Sequence, residues 1–215
     1  MTVERILKER SINELVHFTT SIGLLGILST ESLLPRSHLA AEQALEYILK
    51  YNAPYRSDPG WLRYINLSIT KINQVFFEHS GRLHRDSGVF WAILAIDPKV
   101  MCHDGVYFTT TNNIYPACRR GEGSQALERL FSPKVLGRYS KEIIRPTGLP
   151  DNLTTCPQAE VLYPGRLSTQ FVRYIYVRCD ADRNAVNAQI AALGVGPYEI
   201  IVAPEQFTNP VGATA

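Results

Sequence analysis

Gln158-Ala159-Glu160-Val161-Leu162-Tyr163 sets a single acid at the head of an apolar run that reads as a buried strand. The segment before it, residues 138–157, is rich in Pro, Thr, Asn and Gly and reads as a long loop. A carboxylate at the mouth of a strand, delivered by a long loop, is where a site residue is expected. An edge strand whose first residue happens to be charged gives the same pattern. Two other stretches, His17-Phe18-Thr19 and Tyr64-Ile65-Asn66-Leu67-Ser68, bear on the choice.

A chain of 215 residues suits one domain with a full core. Apolar content of 45% and charged content of 20% are those of a soluble globular protein. No apolar run approaches the ~18 residues of a membrane span. The start, Met1-Thr2-Val3-Glu4-Arg5, has an early acid and no long apolar block after it, so no secretory signal is read and a cytoplasmic location is expected. Cys102, Cys118, Cys156 and Cys179 are far apart with no CxxC pair, which speaks against a closed zinc site and for reduced thiols. Net charge is only +2, so any nucleic-acid surface has to be local. The P-loop, G-x-G-x-x-G, HExxH and G-x-S-x-G signatures are missing.

Along the chain, Val3, Ile6 and Leu7 are spaced as in a short leading helix. Leu15-Val16-His17-Phe18-Thr19 alternates β-branched and aromatic residues and reads as a strand. Thr20 or Ser21 caps a helix over 22–28, so His17 sits on a strand that runs straight into a helix. Residues 40–51 repeat Ala40, Ala44, Leu45, Ile48 and Leu49 at helical spacing. Residues 52–60 form a loop that carries Arg56. A strand over 61–70 puts Ile65, Leu67 and Ile69 on one face and Tyr64, Asn66 and Ser68 on the other, as in a lined cleft or a solvated edge. Residues 73–79 suit a helix, and 89–96 a strand buried throughout.

A short strand over 105–109 leads into turn chemistry at 110–113. Arg119-Arg120-Gly121-Glu122-Gly123 reads as a basic, flexible tip, and Ser124 as the cap of a helix over 125–131. After the acid-led strand come a strand over 170–177, a helix over 181–193 ended by Gly194, and a strand over 198–202. Ala185, Ala188, Ile190 and Ala191 are the expected buried face of that helix. Helices cluster early, strands dominate later and no βαβ repeat appears, so the fold class is α+β. The expected organisation is one domain over 1–207 and a flexible tail over 208–215.

Taken in order, the 15–19 strand with its helix and Leu33-Leu34, then Tyr64-Ile65-Asn66-Leu67-Ser68, then Gly105-Val106-Tyr107-Phe108-Thr109 with Asn112, and finally Gln158-Ala159-Glu160-Val161-Leu162 resemble DarT. These are the DNA ADP-ribosyltransferase toxins of DarT–DarG toxin–antitoxin systems. The resemblance runs over about residues 14–178. It implies a mono-ADP-ribosyltransferase fold similar to the poly(ADP-ribose) polymerase catalytic domain, a central split, antiparallel-rich sheet flanked by helices. It implies an enzyme that moves ADP-ribose from NAD+, its co-substrate, to a base of single-stranded DNA without a metal.

By the same resemblance His17 hydrogen-bonds the adenosine ribose and Thr19 helps hold that end of the dinucleotide. Tyr64 stacks on nicotinamide, with Phe76 and Phe77 as rivals. Glu160 binds the 2′-hydroxyl of the nicotinamide ribose, stabilises the charge that develops as nicotinamide leaves, and takes a proton from the attacking base amine. Arg56 matches the family's catalytic arginine, on the NAD diphosphate or a DNA phosphate, and Arg63 competes with it.

Two departures from the family pattern stand out. Gly23 occupies the place of an asparagine expected to contact NAD+, and the strand after Tyr64 lacks an aromatic pair common in many members. The second departure favours guanine over thymine as target base. DNA contacts are expected from Arg119, Arg120, Arg138, Tyr139, Lys141 and Arg145, with Arg82, His84, Arg85 and Tyr115 as further candidates. A macrodomain antitoxin that removes the mark is the implied partner. The rival functions are transfer to RNA, protein or a small molecule, and a module that binds NAD+ or nucleic acid without turnover.

Overall fold

The computed structural model describes residues 1–39, 59–85 and 88–208. The helix expected over 40–51, Arg56, and the tail beyond Thr208 lie outside the described residues. Thr2 caps the first helix, α1 (Val3–Glu9), by accepting the Arg5 N–H. Strand β1 (Leu15–Thr20) runs directly into α2 (Ser21–Ser29), and the Thr20 hydroxyl accepts the Gly23 N–H at 3.1 Å to make the joint. There follow β2 (Ser32–Leu33), the short α3 (Arg36–Leu39), β3 (Tyr64–Ile69), and α4 (Gln74–Leu83), capped by Asn73. Next are β4 (Trp91–Ile96), β5 (Tyr107–Thr109), β6 (Arg120–Glu122), α5 (Gly123–Arg129), β7 (Lys134–Leu136) and β8 (Glu142–Ile144). The chain continues through β9 (Glu160–Pro164), β10 (Leu167–Ser168), β11 (Val172–Val177), α6 (Asp180–Leu193) and β12 (Glu199–Val202).

Among the described residues, eight strands form one sheet in the order β12-β11-β4-β1-β3-β9-β5-β6. Every neighbouring pair is antiparallel except β11 and β12. The apolar run of β4 is explained by its place between β1 and β11, with a core on each face. Ala92, Leu94 and Ile96 join a core with Leu67, Phe108 and Val161, covered by Ile6 of α1, Leu24 and Leu28 of α2, Leu127 of α5 and Val186 of α6. Ile93 and Ala95 join a second core with Val16, Tyr176, Ile72, Phe77, Ala203 and Phe207. A strand buried on both faces has no solvent side to encode, so its sequence shows no alternation.

The sheet is split at its centre. β1 is paired with β4 from Leu15↔Ile96 to Thr20↔Trp91, but with β3 only at Leu15↔Ile69 and Val16↔Ser68. Beyond Val16 the ladder between β1 and β3 stops, and residues of both strands line a cleft. The α+β, split and antiparallel-rich architecture follows the expectation. No helix among the described residues is long and apolar enough to cross a membrane.

Four local expectations are corrected. The basic tip at 119–123 is strand β6, paired with β5 as Thr109↔Arg120 and Tyr107↔Glu122. Helix α5 begins at Gly123, with Glu122 rather than Ser124 at its cap position. Residues 138–157 are not loop throughout: β7 and β8 pair as a hairpin before an irregular stretch leads to β9. Ala188 and Ala191 of α6 are exposed; Ile190 packs inward as expected, joined by Val186 and Leu193, because larger side chains at i, i+4 and i+7 gain more from burial. Of the four thiols, Cys118 and Cys156 are buried while Cys102 and Cys179 are exposed.

Glu14, at the entry to β1, accepts a hydrogen bond from the Tyr176 hydroxyl at 2.9 Å. Burial pushes its carboxyl above the ordinary range, and that bond and the charges of Lys71 and Arg173 offset only part of the shift. A raised carboxyl pKa means the folded state binds the proton more tightly than the unfolded chain. Stability is therefore lost as pH rises through the carboxylate range. Glu14→Gln keeps an acceptor for Tyr176 and removes the ionisation. Its melting temperature should exceed that of the unsubstituted protein near neutral pH, and the gap should close below the carboxylate range. Thermal unfolding against pH checks this.

Candidate active site

Glu160 opens β9 next to the split and is 8% exposed. Its backbone N–H donates to the Thr109 hydroxyl at 3.1 Å across the β5–β9 ladder, and that hydroxyl donates to Thr111 O at 2.9 Å. The carboxylate is held from two sides. Asn66 Nδ2, from β3, donates to Oε1 at 3.0 Å, and the Asn113 backbone N–H, from the turn after β5, donates to Oε2 at 2.8 Å. Two donors on separate elements fix the plane of the carboxylate and offset part of the cost of burying it.

Across the split, His17 Nδ1 lies 2.9 Å from Asn66 O. A carbonyl only accepts, so Nδ1 carries the proton, and in the neutral ring Nε2 carries the lone pair. Asn66 thus binds Glu160 through its side chain and His17 through its backbone. His17, Thr19, Tyr64, Asn66 and Glu160 line one cleft of about 280 Å³ that also reaches Arg36 and Phe76.

The aromatic candidates separate clearly. Phe77 is 4% exposed, and its ring sits 5.2 Å from those of Phe18 and Trp91 and 6.1 Å from that of Phe207, so it belongs to the second core. Phe76 is 39% exposed and lines the cleft 5.7 Å from Phe18. Tyr64 also lines the cleft; its ring is tilted against Trp61 at 5.0 Å and edge-on to Tyr107 at 5.9 Å. Gly23 has a steric reason. A Cβ there would stand 2.2 Å from the Thr19 hydroxyl oxygen, so Thr19 fills the space an asparagine side chain would enter.

A family model described as ssDNA thymidine ADP-ribosyltransferase, DarT, matches residues 16–208. The chain belongs to the DarT family. It is therefore an ssDNA ADP-ribosyltransferase by membership. No curated protein matches the chain in sequence. Among solved structures, Thermus sp. 2.9 DarT in complex with NAD+ is 15% identical, with TM-score 0.63 over 92% of this chain and 98% of that one. Thermus sp. 2.9 DarT in complex with ADP-ribosylated ssDNA is 14% identical, with TM-score 0.62 over 92% and 97%. Thermosipho africanus DarTG in complex with ADP-ribose is 15% identical, with TM-score 0.55 over 91% of this chain and 51% of that one. At these identities the likeness is one of fold, the DarT fold with its split sheet.

The other DarT-derived candidates are dispersed. Arg56 lies outside the described residues, and Arg63 is exposed and is not among the residues lining the cleft. Arg119, Arg138, Tyr139 and Lys141 are exposed. Tyr139 and Ser140 turn the β7–β8 hairpin with φ of 56° and 57°, and Tyr139 is 84% exposed with the Arg138 guanidinium 4.7 Å from its ring. Two non-glycine residues in the left-handed region make this a costly turn. Arg145 is turned inward and donates to the carbonyls of Leu153 at 2.7 Å and Pro150 at 2.9 Å, which ties down the stretch before β9. Arg120 is also turned inward, onto Asn113.

Sequence reasoning missed the two donors to Glu160. Asn66 was visible on the polar face of its strand, but its partner was not. The Asn113 N–H leaves no trace in residue identity, because any residue except proline offers one. The aromatic assignment gives a direct test. Phe77→Ala should cost about 3–5 kcal/mol of stability, whereas Phe76→Ala should cost under about 1 kcal/mol. Denaturant unfolding of the two variants separates them, and equal losses would contradict the placement.

Proposed function

We propose that this DarT protein, a single domain over 1–207, cleaves NAD+ with release of nicotinamide and joins the ADP-ribose to a base of single-stranded DNA. The observation that supports this best is the pair of donors on Glu160, facing the cleft that His17 enters from across the split. In this reading His17 Nε2 accepts a hydrogen bond from the adenosine ribose, and Thr19 lies at the same end. Phe76 or Tyr64 offers an aromatic face to nicotinamide. The bond between C1′ of the ribose and the nicotinamide nitrogen breaks, and its electron pair leaves with nicotinamide. Glu160, bound to the ribose 2′-hydroxyl, stabilises the positive charge left on the sugar. A base nitrogen then bonds C1′, and its proton passes to Glu160 and on to solvent. Arg56 neutralises the NAD diphosphate or a DNA phosphate.

Guanine is the acceptor that the missing aromatic pair favours, and thymine is the one that the family's description carries. Arg119, Arg138, Tyr139 and Lys141 are the proposed DNA contacts, their exposed side chains lying just before β6 and at the turn of the β7–β8 hairpin. Arg120 and Arg145 are the weaker candidates because their guanidinium groups are engaged within the chain. The proposed setting is the cytoplasm, with a macrodomain antitoxin removing the modification.

Mass spectrometry of oligonucleotides that differ only in base content, incubated with the protein and NAD+, tests the reading. The expected result is a gain of one ADP-ribose unit on one base type, reduced about 10²–10⁴-fold by Glu160→Gln. NAD+ cleavage without gain on any DNA would move the acceptor to RNA or protein. Neither cleavage nor gain would overturn the enzyme.

A further inference from the structure

Residue type and position offered Arg120 as a phosphate contact, yet its guanidinium points into the protein. Nε donates to Asn113 Oδ1 at 2.5 Å, Nη2 donates to Asn113 O, and Nη1 donates to Cys118 O at 3.2 Å. On its other side the guanidinium carbon is 5.8 Å from the Trp61 ring centroid. Asn113 is 1% exposed, and both of its oxygens are thereby taken by one cation. The N–H of this same residue donates to Glu160 Oε2. A path of three contacts therefore runs from Trp61 through Arg120 and Asn113 to the carboxylate.

We infer that Arg120 is a positioning residue for Glu160: it grips the 111–113 turn so that the Asn113 N–H stays aimed at Oε2. This rests on Glu160 being the reacting carboxylate. The planar fork suits the task, because it engages a side-chain oxygen and a backbone oxygen of one residue at the same time. A lysine offers a single point charge and cannot span both. Without the guanidinium, two buried oxygens lose their donor and the turn is expected to relax toward water, taking the N–H with it. Asn66 Nδ2 would remain on Oε1, so the carboxylate would stay in the cleft while Oε2 loses the Asn113 N–H. Arg120 thus acts on the rate of bond cleavage and not on the capture of DNA.

Two measurements decide this. The first is hydrogen exchange at the Asn113 amide, read by NMR in the full chain. Arg120→Ala should speed it about tenfold or more, with amides of the β1–β4 ladder unchanged. The second is steady-state NAD+ cleavage without DNA, alongside ssDNA affinity at several salt concentrations. Arg120→Ala should lower kcat about tenfold or more with KM for NAD+ within about twofold, and should leave the salt slope of ssDNA binding unchanged. Arg120→Lys should fall between, and it carries the same comparison if the alanine variant does not fold. Adding Asn113→Ala to Arg120→Ala should cost little more, since both act on one contact. Unchanged exchange at Asn113 in a folded variant overturns the inference. So does an intact kcat with weaker ssDNA binding and a salt slope reduced by about one, the signature of a phosphate contact. A protein that cleaves no NAD+ at all would sink the transferase reading, and the exchange result would still decide the grip.

Discussion

A carboxylate that is 8% exposed has to be supplied with donors or it costs several kcal/mol to bury. Much of the site follows from meeting that requirement at Glu160. Asn66, paired with Leu162 in the β3–β9 ladder, lies on the same face as Glu160 two residues along, and its amide reaches the carboxylate diagonally. The turn after β5 closes tightly, with the Thr109 hydroxyl caught between the Glu160 N–H and Thr111 O, because only then does the Asn113 N–H reach the second oxygen. Thr109, Thr111 and Asn113 are buried polar residues at the end of β5 and in the turn after it. Each has a bonded role within this turn.

The split at Val16 and Ser68 sets what the rest of the cleft can be. An unbroken β1–β3 ladder would use the backbone of Phe18 and Asn66 on each other and close the groove. Because the ladder ends after two pairs, the Asn66 carbonyl is left for His17 and its side chain for Glu160. The two halves of the sheet share the large core, which Leu94 and Ile96 enter from one side of the split and Phe108 and Val161 from the other, while Ile93 and Ala95 of β4 enter the second core. The opening is bordered by packed strands and helices together with the Leu34-Pro35 connection and the turn that carries Asn112 and Ile114.

The parts of this arrangement legible in sequence are those carried by periodicity or by turn chemistry. Tyr64, Asn66 and Ser68 alternate against Ile65, Leu67 and Ile69, and Gly194 ends α6 with φ of 66°. The β4 strand announced its burial by having no polar position. The parts not legible are those decided by distant partners. Arg119-Arg120 looks like a solvated basic pair until β6 pairs with β5 and turns the second side chain onto Asn113. The β7–β8 hairpin was hidden because its turn uses Tyr139 and Ser140 with positive φ, where asparagine and glycine are the usual signal. Phe76 and Phe77 are adjacent and chemically alike, and only the direction each takes from α4 tells the cleft residue from the core residue.

The pairing of β9 carries a consequence for how this chain tolerates change. Successive residues of a strand point to opposite faces. Glu160 faces the cleft while Val161, its neighbour, is buried in the large core. The stretch between β8 and β9 delivers the strand in this register through Arg145, which donates to Leu153 O and Pro150 O, and through buried Thr155, which donates to Ser132 O. A single residue slipped within β9 would exchange the two, placing a valine in the cleft and a charge among Leu67, Phe108 and Val106. The register of five residues thus decides whether the acid meets the cleft or the core.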